Sequence, residues 1–175
     1  MSPQDNFKFI NGYLSRVSPV ITEHNGFIDQ YYGDGVMALF PGGPDDAVMA
    51  AIAMHRVVDE YNEERGGYGL LPMGIGVGLH LGDLMLGIIG SEDRMQGAVV
   101  ADAVNLAARL EGLTRIYGSS VTLSELTFSQ LKDPRKYMHR FVDKVSVKGK
   151  KQSVTVYEVY DGDPQPVTVL KEQTK

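Results

Sequence analysis

The residues best suited to chemistry lie in two short stretches of the chain. One is a Gly-Asp-Gly sequence at 33–35, where Asp34 interrupts an apolar and aromatic run. The other is GAVVADAVNLAARLEG, in which Asp102, Asn105 and Arg109 are spaced by three and four residues. A carboxylate can bind a divalent cation, and a guanidinium can bind a phosphate in a fixed geometry. The two stretches favour a metal and phosphate site, although Gly-Asp-Gly also makes a good turn without any ligand.

The second stretch predicts a polar helix face that contains Asn105 and Arg109. Such a face is an ordinary feature of an amphipathic helix, and that interpretation stays open. Arg109, however, has no acidic residue at positions 105, 106, 112 or 113, whereas Arg115 has Glu111 four residues before it. We therefore expect Arg109 to reach a phosphate and Asn105 to orient a sugar or phosphate oxygen.

Composition and charge narrow the classes of function. The chain has 175 residues, 43% of them hydrophobic, which suits one globular domain with a sizeable core. A formal net charge of -5 provides no broad positive field, so we expect neither nucleic acid nor anionic membrane as a partner. The longest apolar run, 47–54, is too short for membrane insertion. The absence of cysteine excludes disulfides and thiolate chemistry, and with no export signal it predicts a cytoplasmic protein.

The elements that must position these residues alternate between helices and hairpins. Apolar residues at intervals of three and four predict a first helix that ends near Gly26, followed by a hairpin that turns at 33–35. A second helix is predicted to begin at Pro44 and to end near Glu64. A second hairpin is predicted to pair 73–81 with 84–90 and to turn at Gly82-Asp83.

The rest of the chain predicts another helix and a final pair of strands. The helix ends at Gly118, and its buried stripe is formed by Val99, Ala103, Leu106, Leu110 and Leu113. A short strand near Val121, a helix capped by Ser124, and strands over 137–147 and 153–160 follow. The whole predicts an α+β domain at 1–161 with a mostly antiparallel sheet and helices on one face, and a flexible tail at 162–175.

Four segments of the chain resemble the catalytic domain of class III nucleotidyl cyclases, the adenylate and guanylate cyclases. They are GFIDQYYGDGVMALF, GIGVGLHLGDLMLGIIGSEDR, VVADAVNLAARLE and VSVKGKKQSVTVYEV. The resemblance implies a ferredoxin-like core and a dimer, either a homodimer or a heterodimer of cyclase domains, with two sites built from both subunits. It also implies an in-line attack of a ribose 3′-hydroxyl on the α-phosphate of a nucleoside triphosphate, assisted by two Mg²⁺ or Mn²⁺ ions.

The same resemblance assigns roles to individual residues. Asp34 corresponds to one of the family's two metal-binding aspartates. Asn105 corresponds to the residue that positions the ribose, and Arg109 to the residue that stabilises the transition-state phosphate, a role that suits a fixed guanidinium. Lys148 corresponds to a lysine that contacts the terminal phosphates, although a charged hairpin turn explains it equally well.

The chain also departs from the family pattern. In the family the second aspartate lies on a central strand before the first helix, and MSPQDNFKFINGYL aligns with that helix itself. We therefore expect the first strand and its aspartate to be missing from this chain, and strand exchange by the tail PVTVL is one way to fill the gap. Asp29, Asp83 and Asp102 are not obvious substitutes. Two-metal catalysis needs paired carboxylates, because a lone aspartate binds magnesium weakly.

The base-reading positions are also altered. The resemblance places Gln30 and Ala98 where adenylate cyclases carry a lysine and an aspartate or threonine. Glutamine can donate and accept hydrogen bonds, whereas alanine can do neither, so these two residues predict poor discrimination between adenine and guanine. Tyr31 and Tyr32 lie nearby, where one of them could stack on a base or both could pack in the sheet.

Three functions are compatible with these residues. The first is a cyclase domain in intracellular signalling, with cyclic AMP as the expected product. The second is a catalytically silent homologue that binds a nucleotide or dimerises and so regulates another domain. The third is a cyclase of altered substrate, such as a pyrimidine nucleotide, which Gln30 and Ala98 permit.

Overall fold

The computed structural model describes residues 2–91, 94–100, 102–146 and 153–173. Its helices are α1 Pro3–Glu23, α2 Pro44–Gly67, α3 Asp102–Tyr117, α4 Glu125–Ser129 and α5 Gln165–Glu172. Its strands are β1 Phe27–Tyr32, β2 Gly35–Leu39, β3 Val77–Leu79, β4 Met85–Ser91, β5 Arg94–Val100, β6 Val121–Ser124, β7 His139–Ser146 and β8 Ser153–Val159. A 3₁₀ turn, Pro134–Lys136, precedes β7. No helix within these ranges has the length and apolar character to cross a bilayer.

The central sheet has four strands in the order β3-β6-β8-β7, and β6 is buried along its whole length. β3 and β6 are parallel, whereas the β6–β8 and β7–β8 pairs are antiparallel. Val121 and Leu123 pack with Val48 and Ile52 of α2, whereas Thr122, between them, donates a hydrogen bond to the Leu110 carbonyl of α3. Successive residues of a strand face opposite sides, so α2 and α3 cover opposite faces of the sheet. The prediction of helices on one face was therefore wrong.

Two further hairpins form separate two-stranded sheets, and the second of them corrects the predicted strand pairing. β1 pairs with β2, as predicted, with residues 33 and 34 between the strands. β4 pairs with β5, whereas β3 pairs with the distant β6, so the predicted 73–81 and 84–90 hairpin was wrong. Val99 lies in β5 and not in the helix stripe, because α3 begins at Asp102. A glycine-rich alternating run specifies strands but not their partners, which are set here by contacts distant in sequence.

The close approach of α3 to β3 depends on two glycines. A side chain at Gly78 would collide with the backbone of Ala107 and Glu111, and one at Gly76 would collide with Thr114. These glycines lie on the α3 face of β3, while Val77 and Leu79 face α2. The arrangement brings the helix that carries Asn105 and Arg109 into direct contact with the sheet.

The segment after Asp161 differs from the loose tail that the sequence predicted. It forms α5, and Lys171 of that helix is only 6% exposed. The Lys171 ammonium lies 3.2 Å from Glu158 Oε2 and 2.5 Å from Asp163 Oδ2. Buried opposite charges hold the segment against β8, and PVTVL lies within the helix, so it does not act as an exchanged strand.

Candidate active site

Asp34 lies at the tip of the β1–β2 hairpin. Tyr32 pairs with Gly35 across the hairpin, and the turn between them contains Gly33, with φ 66°, and Asp34. Gly33 is the residue that needs the left-handed conformation, whereas Asp34 does not have a positive φ. The Asp34 side chain is exposed, and its charge reinforces the effect of burial in raising the pKa of Tyr13 on α1. The reversal itself is thus made by glycine, and the carboxylate is an addition to it.

A β-bulge in β1 decides which side chains share a face with Gln30. Ile28 pairs with Ala38, whereas Gln30 pairs with Met37, so Asp29 is the extra residue. Directly opposed residues lie on the same face, and neighbours on β2 lie on opposite faces, so Gln30 and Ile28 point to opposite sides. Simple alternation along the strand would have placed them together.

The α1 side of the hairpin is identified by Tyr31. Its hydroxyl is hydrogen-bonded to Ser18 Oγ of α1 at 3.3 Å. An open groove of about 900 Å³ lies on this side, lined by Leu14, Ser18 and Thr22 of α1 and by Phe27 and Tyr31 of β1 among others. Tyr31 is 50% exposed and contacts α1 through this hydrogen bond, which is different from the predicted packing within the sheet. Tyr32 faces the other side, is 56% exposed and donates a hydrogen bond to Gln30 Oε1 at 3.0 Å.

Asn105 and Arg109 lie on the exposed face of α3, as the helical spacing predicted. The opposite face of the helix buries Leu106 and Leu110 against Val156 of β8. The hydrogen bond from Thr122 Oγ1 to the Leu110 carbonyl, 2.7 Å long, fixes the middle of the helix on β6. A rigid helix of this kind presents an amide and a guanidinium one turn apart, in a geometry that can hold a sugar and a phosphate.

The remaining predicted site residues lie on separate elements. Ala98 is in β5, where its backbone pairs with Gly87, four residues before α3 begins. Lys148 lies outside the described residues. Within one chain, Asp34 and Gln30 are on the β1–β2 hairpin, while Asn105 and Arg109 are on α3. The structure therefore groups the candidates into a hairpin set and a helix set.

The described residues do not by themselves make a two-ion centre. No group of three or more His, Asp or Glu side chains within them is close enough to hold a metal ion. Asp34 supplies one exposed carboxylate, and Asp29 is half-buried at the bulge. A pair of bridging carboxylates is what two-ion phosphate chemistry requires, so Asp34 fits as one ligand and not as a complete site.

Two features of this region were missed by sequence reasoning. One is the contact of Tyr32 with Gln30, which depends on a β-bulge that no residue of β1 predicts. The other is the buried cluster of Glu158, Asp163 and Lys171, for which the sole sequence signal was a charged residue at an alternating apolar position of β8. The hydroxyl of Ser120 also bonds the Asp163 carboxylate, and Arg140 bonds Glu158.

Comparisons with known proteins give a consistent result. The family model for the adenylate and guanylate cyclase catalytic domain matches residues 42–160. The chain is 41% identical over 165 residues to an adenylate cyclase of Anabaena cylindrica, covering 91% of this chain and 33% of that protein. It is 38% identical over 177 residues to the terminal-differentiation specific adenylate cyclase of Dictyostelium discoideum, covering 98% of this chain and 8% of that protein. The chain thus spans a third or less of the length of these relatives.

Solved structures resemble the whole fold. The guanylyl cyclase Cya2 superposes with a TM-score of 0.77 at 31% identity, covering 95% of this chain and 85% of that one. The adenylyl cyclase CyaB from P. aeruginosa superposes with a TM-score of 0.76 at 26% identity, covering 91% and 84%. The similar proteins therefore include both adenylyl and guanylyl cyclases.

Proposed function

The chain belongs to the family of adenylate and guanylate cyclase catalytic domains, and on that premise we propose that it converts a nucleoside triphosphate, preferentially ATP, into a 3′,5′-cyclic nucleotide and pyrophosphate. The observation that carries the proposal is the exposed Asn105 and Arg109 pair on α3, in a chain 41% identical to an adenylate cyclase. Its location in this proposal is the cytoplasm, as part of a signalling protein.

The reaction joins two ends of one substrate. The ribose 3′-oxygen forms a bond to the α-phosphorus, the bond from that phosphorus to the bridging oxygen breaks, and pyrophosphate leaves. The 3′-hydroxyl proton passes to solvent. Asn105 orients the ribose, and the Arg109 guanidinium stabilises the charge that develops on the α-phosphate oxygens. Lys148 contacts the terminal phosphates in this proposal, and Gln30 and Ala98 lie beside the base.

The cation in this proposal is Mg²⁺ or Mn²⁺, which would neutralise phosphate charge when bound. Asp34 is the residue that would hold it. The described residues give Asp34 no cluster of ligating side chains, so Asp34 would be one ligand of a site that needs others. We also propose that two subunits, either two copies of this chain or this chain and another cyclase domain, build each site, with Asp34 from one subunit and Asn105 and Arg109 from the other.

A direct assay tests the function. The protein is incubated with each of the four common nucleoside triphosphates and Mn²⁺, and the products are separated by chromatography. We expect cyclic AMP and pyrophosphate in equal amounts from ATP, and less product from GTP. A cyclic product from CTP or UTP alone would instead establish the altered-substrate alternative. No cyclic product from any of the four would overturn the enzymatic proposal for this chain.

A silent nucleotide-binding or dimerising domain is the second candidate. The observation that favours it is that Asp34 belongs to no metal-binding cluster within the described ranges, whereas a cyclase site needs paired carboxylates. This candidate predicts that a non-hydrolysable ATP analogue binds, or that the chain dimerises, without formation of any cyclic product. Calorimetry and analytical ultracentrifugation on the same preparation distinguish it from the cyclase.

A further inference from the structure

The hydroxyl of Tyr32 is hydrogen-bonded to the side-chain amide of Gln30. Tyr32 Oη donates a hydrogen bond to Gln30 Oε1 at 3.0 Å, and both side chains are exposed on β1. A primary amide has an accepting oxygen and a nitrogen with two donors. Because the oxygen already accepts from Tyr32, the nitrogen is the end of the amide with its full hydrogen-bonding capacity available to a ligand.

The backbone directs this pair away from α1. The bulge at Asp29 turns Gln30 to the face opposite Ile28, and Tyr32, two residues further on, shares that face. Tyr31 lies between them in sequence and faces α1, where its own hydroxyl bonds Ser18. The two neighbouring tyrosines therefore make different contacts: Tyr31 bonds to α1, and Tyr32 bonds to Gln30.

We propose that Tyr32 is a positioning residue for base selection, which holds the Gln30 amide so that its donors meet an acceptor on the purine edge and adenine is favoured over guanine. This inference rests on the proposed function, in which Gln30 lies beside the base. It goes beyond that function because it names what decides between two substrates in the absence of a charged base-reading residue.

The selection follows from the hydrogen-bonding pattern of the two purines. Atom N1 is an acceptor in adenine and carries a hydrogen in guanine. An amide N–H aimed at N1 is therefore satisfied by adenine and faces another donor in guanine, which leaves both groups unpaired. Ala98 contributes no hydrogen-bonding side chain at the second base-reading position. The orientation of the Gln30 amide therefore has a large effect on the preference for adenine over guanine.

The experiment compares kcat/KM for ATP with kcat/KM for GTP in five proteins: the wild type, Tyr32→Phe, Tyr31→Phe, Gln30→Lys, and the double variant of Gln30→Lys and Tyr32→Phe. In Tyr32→Phe the amide is released and can turn its carbonyl toward guanine N1–H, so we expect the ATP-to-GTP ratio to fall roughly threefold to tenfold. Tyr31→Phe removes the neighbouring hydroxyl on the other face, and we expect its ratio to match that of the wild-type protein. Gln30→Lys carries only donors, so in that background Tyr32→Phe should no longer change the ratio.

The outcomes separate this inference from the proposed function. If the protein is active and Tyr32→Phe leaves the ATP-to-GTP ratio unchanged or raises it, or lowers it equally in the Gln30→Lys background, Tyr32 does not favour adenine by holding the Gln30 amide, while the cyclase activity stands. If the wild-type protein forms no cyclic product, the same ratio is measured from the affinities for α,β-methylene ATP and α,β-methylene GTP. Failure of both analogues to bind overturns the proposed function and this inference together.

Discussion

Arg109 is the residue whose replacement should separate catalysis from folding. We expect Arg109→Ala to lower kcat/KM on the order of a hundredfold, because the substitution removes the guanidinium that stabilises the negative charge developing on the phosphate. The side chain is exposed, so the free energy of unfolding should change by less than about 1 kcal/mol. Steady-state kinetics and urea denaturation on the same preparations measure the two effects.

The matched control is on the same helix. Arg115 is also exposed on α3, nearer the end of the helix, and is not one of the candidate site residues. We expect Arg115→Ala to retain activity. Equal losses of activity in the two variants, or a parallel loss of activity and stability in Arg109→Ala, would assign Arg109 a structural role.

The proposed role of Asp34 as a cation ligand is tested by the Mn²⁺ requirement of the reaction. In Asp34→Asn we expect the Mn²⁺ concentration for half-maximal activity to rise at least about tenfold, since an amide is a poorer ligand than a carboxylate. The hairpin itself should persist, because Gly33 and not Asp34 has the left-handed conformation. Asp83→Asn, in an exposed loop, is the control. An unchanged Mn²⁺ requirement in Asp34→Asn would limit Asp34 to the turn.

At the residue scale, the helical period predicted the orientation of side chains correctly, whereas the strand period did not. The spacing of Asn105 and Arg109 correctly predicted that both lie on the exposed face of α3, because a helix repeats without interruption. The orientation of Gln30 was not predictable, because one bulge at Asp29 reverses the face of every residue that follows it. The part of the site carried by α3 was thus accessible from sequence, and the part carried by β1 was not.

At the scale of elements, local sequence signals predicted most boundaries of helices and strands but did not predict which strands pair. The start of α2 at Pro44, the Ser124 cap of α4 and the end of α3 before Gly118, with φ 61°, all follow from short-range chemistry. The parallel pairing of β3 with β6 depends on α3 packing over Gly76 and Gly78, which no local pattern encodes. The loose-tail expectation failed for a similar reason, since α5 is held by residues of β8.

The attachment of α5 has a measurable energy. Lys171 is buried between Glu158 and Asp163, whose side chains are 0% and 1% exposed. We expect Lys171→Met to lower the free energy of unfolding by about 3 kcal/mol or more, because two buried carboxylates lose a shared cation. Lys132→Met, at an exposed position, should have little effect. A loss below about 1 kcal/mol in chemical denaturation would show that α5 does not depend on this cluster.

His55 of α2 lies close to Asp163 and Lys171 and should make the stability of the fold depend on pH. Burial lowers the pKa of its ring, and Lys171 adds to that shift. The hydrogen bond to the Ser120 carbonyl, 3.2 Å long, and the charges of Asp163 and Asp59 oppose it. The unfolded chain then binds the proton more readily than the folded one. The stability contributed by neutral His55 is complete above the ordinary pKa near 6.5 and is lost as the pH falls through the lower, folded value.

The prediction compares wild-type protein with His55→Gln. Between pH 7 and pH 5 we expect the stability of the wild type to fall relative to the variant, with a slope no steeper than about 1.4 kcal/mol per pH unit, the limit for one proton. Urea denaturation at each pH measures the difference. Parallel curves for the two proteins would mean that His55 takes up no proton on unfolding in this range.

At the scale of the whole molecule, the candidate groups divide between a hairpin and a helix. Asp34 is on the β1–β2 hairpin, whereas Asn105 and Arg109 are on α3, on the exposed surface of one chain. A two-fold dimer repeats every contact, so two copies that oppose these surfaces would form two equivalent sites. This arrangement makes a prediction that does not depend on which base is preferred.

Mixing two impaired variants should restore activity when it is assayed at a Mn²⁺ concentration too low to support appreciable turnover by Asp34→Asn. In a heterodimer of Asp34→Asn and Arg109→Ala, one site contains both substitutions and the other contains neither. With random exchange of equal amounts, half of the dimers are mixed and each has one intact site, so we expect about one quarter of the wild-type activity. Asn105→Ala mixed with Arg109→Ala should recover none, because both substitutions are on α3 and each site of the mixed dimer keeps one of them. No recovery in the first mixture, when mass spectrometry shows that mixed dimers form, would place the hairpin and the helix of a single subunit in the same site. Recovery in the second mixture would show that Asn105 and Arg109 of one helix do not act in the same site.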